Sequence, residues 1–116
     1  KVGMIHLIEN VHFDFDQSDI AGRDLPELKS ILELLQINPT LKIEIRGHTD
    51  DIGDEKYNIE LSQKRADIVR DWLLSEGIKT QRIVAQGYGK SNPKADNSQE
   101  SGREINRRTE FRIIEY

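Results

Sequence analysis

One abrupt change of period, between Leu41 and Gly77, limits what this chain can become. Leu41, Ile43 and Ile45 alternate with Lys42, Glu44 and Arg46, the pattern of a strand with one face buried. A polar turn follows, holding Thr49, Asp50, Asp51, Gly53 and Asp54. Beyond it Leu61, Ile68, Val69, Trp72 and Leu73 recur at helical spacing, with the stem of Arg65 on the same stripe. The spacing predicts a strand over Leu41–Ile45 and a helix from about Asn58 to Glu76. Asn58 is the expected amino-terminal cap, and Ser62 adds a further local bond. Gly77 is the expected left-handed cap, with Ile78 folding back on the last turn.

The flanking sequence repeats the theme. Val2 to Phe13 reads as extended, with an imperfect period of two, and the F-D-F-D run from Phe13 to Asp16 leads into a turn. A first helix is expected to start near Asp24, where Asp24 and Glu27 resemble a capping box and Pro26 suits the first turn. Leu25, Leu28, Ile31, Leu32 and Leu35 form its apolar stripe, and Pro39 stops it. Arg82 to Gln86 reads as a short strand. A long loop follows, from Gly87 to about Asn106, rich in Gly, Ser, Asn and charge, of a length that is usually functional or mobile. A last strand, Arg108 to Ile114, is expected to close the sheet. Strand, helix and strand in succession imply a right-handed crossover with parallel strands. The polar second face of the sheet implies helices on one side only. The fold class is thus α/β, an α+β sandwich.

Length and composition narrow the function. The 116 residues suit one domain, residues 1–116, and with Lys1 at its start the chain is expected to be a fragment of a larger protein. There is no cysteine, so a disulfide framework and a thiolate metal site are both excluded. A net charge of -4 argues against a general polyanion binder. No apolar run approaches the roughly 20 residues that span a bilayer, so any membrane link lies in parts of the parent outside this chain.

The chemistry concentrates at the strand-to-helix corner. Asp50 stands at the end of the strand and Arg65 two turns or so into the helix. An ionised Asp only accepts hydrogen bonds, and an Arg only donates them. Such a pair either neutralises itself or brackets a ligand that carries both an amine and a carboxylate. Arg adds a planar fork that fits a carboxylate with two bonds, which Lys cannot copy. Other readings are poorer. His48, Asp50, Asp51 and Asp54 cluster, but their spacing is not a calcium loop. His48, Asp50 and Ser62 supply the residue types of a triad without a nucleophile elbow. Arg103, Arg107, Arg108 and Arg112 gather late in an acidic chain with few aromatics, so they read as loop and sheet-face residues rather than a nucleic-acid track. Asp51, Asp54 and Glu55 read as a solvated rim.

Three ordered motifs carry a resemblance. They are G-H-T-D-x-x-G-x-x-x-Y-N-x-x-L-S-x-x-R-A-x-x-V at Gly47 to Val69, G-I-x-x-x-R-I-x-x-x-G-Y-G at Gly77 to Gly89, and N-x-x-x-x-G-R-x-x-N-R-R-x-E-F at Asn97 to Phe111. With the early F-D-F-D, they resemble the OmpA-like carboxy-terminal domain family, which includes peptidoglycan-associated lipoproteins and the periplasmic domains of flagellar stator B subunits. The resemblance implies a mixed four-stranded sheet with helices packed on one side. It also implies a non-enzymatic domain without cofactor or metal, which binds the diaminopimelate of the peptidoglycan stem peptide. On that pattern Asp50 takes the ligand's ammonium and Arg65 its carboxylate. Thr49, Asn58, Asp14, Phe15 and Arg108 line the same region. The implied setting is the periplasm, attached to the outer membrane through the parent protein, with no nucleic-acid partner and a homodimer left open. A flagellar stator, or an interaction domain of the same fold without wall binding, is the alternative.

Overall fold

The structure, a computed structural model, describes residues 5–12, 25–91 and 95–115, with the side chains of 5–12, 25–27 and 104 outside that description. Strand β1 (Ile5–His12) is followed by α1 (Leu25–Ile37), β2 (Lys42–Gly47), α2 (Glu55–Ser75), a 3-10 turn (Thr80–Arg82), β3 (Ile83–Gly87), α3 (Glu100–Asn106) and β4 (Arg108–Glu115). Asp14, Phe15 and Asp24 lie outside the described residues.

The sheet order is β1-β4-β2-β3. β2 and β3 pair in parallel through α2, as a crossover unit requires. The other expected crossover is interrupted. β4 lies between β1 and β2 and runs antiparallel to both, so the last strand fills the interior of the sheet instead of closing its edge. β1 joins the sheet through its pairing with β4.

The core lies between one sheet face and the two longer helices. Leu28, Ile31, Leu32 and Leu35 of α1 meet Ile43 and Ile45 of β2, Ile83 of β3, Phe111 and Ile113 of β4, and Val69 and Leu73 of α2 in one buried cluster. Each such side chain contributes about 1.5–3 kcal/mol when fully buried. Alternation along β2 puts Lys42, Glu44 and Arg46 on the other, polar face. Arg82 ties the end of α1 to the sheet by donating to the carbonyl oxygens of Leu35, Asn38 and Leu41 at 2.7, 2.6 and 3.1 Å.

Helix α2 starts three residues before Asn58. Its cap is Asp54, whose carboxylate accepts the Tyr57 N–H at 2.7 Å, and Asn58 is buried inside the first turns. Its far end is as expected. Gly77 is left-handed (φ 101°), Gly77 N–H bonds to Leu74 O, and Ile78 N–H bonds back to Leu73 O. The buried face of α2 is Asn58, Ser62, Arg65, Ala66, Val69 and Leu73. It is rotated by about one residue from the apolar stripe of the sequence. The cause lies in the sheet: Gly47 and Gly87 have no side chains, and the backbone of Ser62 and Gln63 settles on them.

The stretch after Gly87 is not one long loop, because it contains α3. That helix has no apolar stripe. It is held by Asn106, whose side chain accepts the Ala95 N–H and donates to Ala95 O, both at 2.9 Å.

A buried ionic corner

Three backbone hydrogen bonds hold the loop after β2. His48 N–H donates to Arg108 O, Thr49 N–H to Gly89 O, and Tyr88 N–H to Gly47 O. The loop is thereby sewn to the start of β4 on one side and to the turn after β3 on the other. Asp50 is 3% exposed. Its Oδ1 accepts the Ile52 N–H at 3.0 Å, and Thr49 Oγ1 donates to its carbonyl at 2.8 Å. The first bond orients the carboxylate, and the second holds the main chain beside it.

The cation that meets this carboxylate is Arg107. Its Nη1 lies 2.8 Å from Asp50 Oδ2, and its Nη2 lies 2.7 Å from Glu100 Oε2. Sequence spacing leaves open whether Asp50 and Arg65 neutralise each other or bracket a ligand; in the ligand-free chain the arginine hydrogen-bonded to Asp50 is Arg107. Arg107 belongs to the junction of α3 and β4, so the ion pair closes a gap of 57 residues in sequence. Burial works against the charge on Arg107, but the hydrogen bonds it donates to Glu100 and Asp50, with their negative charges, outweigh it and hold the guanidinium above its ordinary value. Glu100 is held below the usual carboxylate range, chiefly by its bond to Arg107.

Arg65 is 1% exposed, head group as well as stem, and is among the largest fully buried side chains of the described residues. The sequence reading buried only its stem. It shares the buried face of α2 with Asn58 and Ser62. Asn58 donates weakly to Gly53 O at 3.5 Å. Ser62 donates to Ile59 O and accepts the Gly89 N–H, so its hydroxyl is occupied. Thr49 and Asp50 just after β2, and Asn58 and Arg65 on α2, are all buried. Asp51, Asp54 and Glu55 are exposed, as a solvated rim should be.

Arg108 is not brought to Asp50. It lies on the polar face of the sheet, with Nε 3.4 Å from Glu110 Oε2. That face holds a second polar group which the sequence reading did not resolve. His48 Nε2 and Glu110 Oε1 are hydrogen-bonded at 2.5 Å. The His48 ring stacks on Tyr88 at 5.7 Å, the Arg46 guanidinium lies 4.4 Å from the centre of the Tyr88 ring, and Tyr88 donates to Glu44 at 2.7 Å. Burial, then Glu44, makes the Tyr88 phenol harder to ionise. Burial works to raise Glu110, but His48, Arg108 and Arg46 together hold it below its ordinary value. Strand alternation could have placed Glu44, Arg46 and Glu110 on one face, but it gives no sign that they would be covered.

Beside the corner, a cleft of about 630 Å³ is lined by Asp51, Glu55, Ile59, Gly87, Tyr88, Lys90 and Ser91. Among the described residues no group of three or more His, Cys, Asp or Glu could hold a metal ion, and no helix is long and apolar enough to cross a membrane.

A buried carboxylate and two buried guanidiniums at a strand-to-helix corner, on this topology, define a class. The chain belongs to the OmpA family, whose pattern it matches over residues 12–107. It is 44% identical over 104 residues to outer membrane porin F of Pseudomonas fluorescens, which covers 90% of this chain and 32% of that protein. The chain thus spans about a third of that relative's length. Its fold is similar to the crystal structure of the peptidoglycan-associated lipoprotein from Burkholderia pseudomallei, with a TM-score of 0.82 at 31% identity, covering 91% of this chain and 88% of that one. It is also similar to the periplasmic domain of Helicobacter pylori MotB, with a TM-score of 0.83 at 27% identity, covering 98% and 83%.

Proposed function

We propose that this domain holds peptidoglycan without a covalent bond, by gripping the zwitterionic tip of the stem peptide's diaminopimelate. Asp50 takes the ammonium and Arg65 the carboxylate, with Thr49 and Asn58 shaping the pocket. Asp14, Phe15 and Arg108 belong to the same proposal, as lining of that region. The observation that carries the reading is the burial of Asp50 just after β2 and of Arg65 on the face of α2 that settles on Gly47. Two groups of opposite charge on the elements that meet at one corner suit a ligand tip that carries both charges. Asp50 and Arg65 are covered in the ligand-free chain, so binding must move part of that cover.

The likeness to the Burkholderia pseudomallei lipoprotein supports attachment to the wall. The setting that follows is the periplasm, with an outer-membrane parent. Many copies on one wall make a modest single-site affinity effective through avidity. The MotB likeness favours a second setting, in which the same grip anchors a flagellar motor part.

The test is a binding titration with purified diaminopimelate-type muropeptide. Each charged hydrogen bond contributes about 1.5–3 kcal/mol, so Asp50→Ala and Arg65→Ala should each weaken binding by about 100-fold. Circular dichroism checks that the variants fold. Unchanged affinity in either folded variant overturns the reading, and a change in muropeptide mass on incubation would point to an enzyme.

A further inference from the structure

Asp50 is engaged before any ligand arrives. Arg107 reaches Oδ2 with one nitrogen and Glu100 with another, at 2.8 and 2.7 Å. The two carboxylates differ in setting. Asp50 and Arg107 are buried, whereas the Glu100 side chain is 62% exposed. The arginine therefore bridges the interior and the surface, and the exposed Glu100 can follow it outward.

We propose that Arg107 is a resident counter-ion which the ligand's ammonium replaces on Asp50, and that Glu100 retains the displaced guanidinium. The inference rests on the proposed diaminopimelate site and deepens it. Asp50 has limited room for cations, since Oδ1 already accepts the Ile52 N–H and Oδ2 carries Arg107. A ligand without an ammonium offers Asp50 nothing in exchange, so Arg107 stays and the corner remains shut. A ligand with one releases Arg107, and Glu100 compensates the freed charge at the surface. The exchange breaks one charged hydrogen bond and makes another, so no buried charge is left alone at either end. Arg107 on this account is a specificity-determining residue, because it admits only tips that bring their own cation. Glu100 is a positioning residue that acts through it.

The experiment measures meso-diaminopimelate binding by calorimetry for the wild type, Glu100→Gln and Arg107→Gln, with a thermal melt of each. Glu100→Gln should weaken binding about threefold or more, within the range of a half-exposed ion pair, while the melting temperature of the free chain barely moves. Arg107→Gln should lower the melting temperature, because Asp50 loses its partner, yet keep or raise the affinity, because the competing cation is gone. Unchanged binding by Glu100→Gln, with the wild type binding normally, overturns the exchange and leaves the site intact. Loss of affinity in a folded Arg107→Gln chain also overturns it, since Arg107 would then be part of the grip. If Arg107→Gln does not fold, Glu100→Gln decides alone. A wild type that binds no diaminopimelate removes the site and the exchange together.

Discussion

Gly47 and Gly87 stand opposite each other in the parallel pair β2–β3, and a single turn of α2 rests on both. A Cβ on Gly47 would come 2.3 Å from Ser62 O, and one on Gly87 would come 2.4 Å from Gln63 N. Both obstacles are backbone, so no side chain can swing aside. This contact sets how deeply α2 sits, and Arg65 lies one turn further along the same buried face. Gly47→Ala and Gly87→Ala should each cost about 3 kcal/mol, the upper part of the range for overpacking. Urea unfolding measures the loss. A cost below about 1 kcal/mol would show that the helix can lift without penalty.

Gln63 guards the outer edge of β3. Its amide donates to Ala85 O at 2.9 Å and accepts the Gly87 N–H at 2.8 Å, so it stands in for part of a missing neighbouring strand. Exposed edges of this kind invite pairing with another chain. Gln63→Ala should destabilise the domain by about 1–2 kcal/mol through the two lost bonds. Light scattering on the same variant should show more self-association than the wild type. Monomeric behaviour with unchanged stability would mean that solvent serves the edge equally well.

Acid should loosen the polar sheet face through Glu110. Its folded value lies below the ordinary 4.5, against burial and because of His48, Arg108 and Arg46. Just below the ordinary value the unfolded chain therefore takes up a proton more readily than the folded one, so stability falls with pH. The contribution is complete above that value and is lost as pH drops through the folded one. Glu100 acts in the same direction through Arg107. Melting temperature followed from pH 6 to about pH 3 should fall less steeply in Glu110→Gln than in the wild type. Parallel curves would assign the acid limb to other carboxylates.

Elements whose pattern and packing agree were legible in the sequence. Leu28, Ile31, Leu32 and Leu35 announce α1 because the residues that define the period are the residues that are buried. In α2 the two diverge. Half of its buried face is polar, so apolar spacing selected Leu61 and Ile68, which are only half-buried, and passed over Asn58 and Ser62. The start of α2 was misplaced because Asp54 and Asn58 are both good caps, and choosing between them depends on the turn at Gly53. Helix α3 left no periodic signal, since contacts from Asn106 to Ala95 hold it rather than a stripe of its own. Motif spacing singles out Asp50 and Arg65, and both are buried. Arg107 was missed for a physical reason. Neighbours on an extended chain point opposite ways, so one of two adjacent arginines had to face the corner, and nothing local says which.

The place of β4 has a consequence for how the molecule comes into being. The two strands it joins are made well before it, and neither touches the other across the gap it will fill. Until residues 108–115 leave the ribosome, β1 has no neighbour in the sheet, and Arg107 has not yet arrived to neutralise Asp50. Assembly of this domain is therefore a late event of long-range closure, and the Asp50–Arg107 pair can form only once the junction of α3 and β4 has been made.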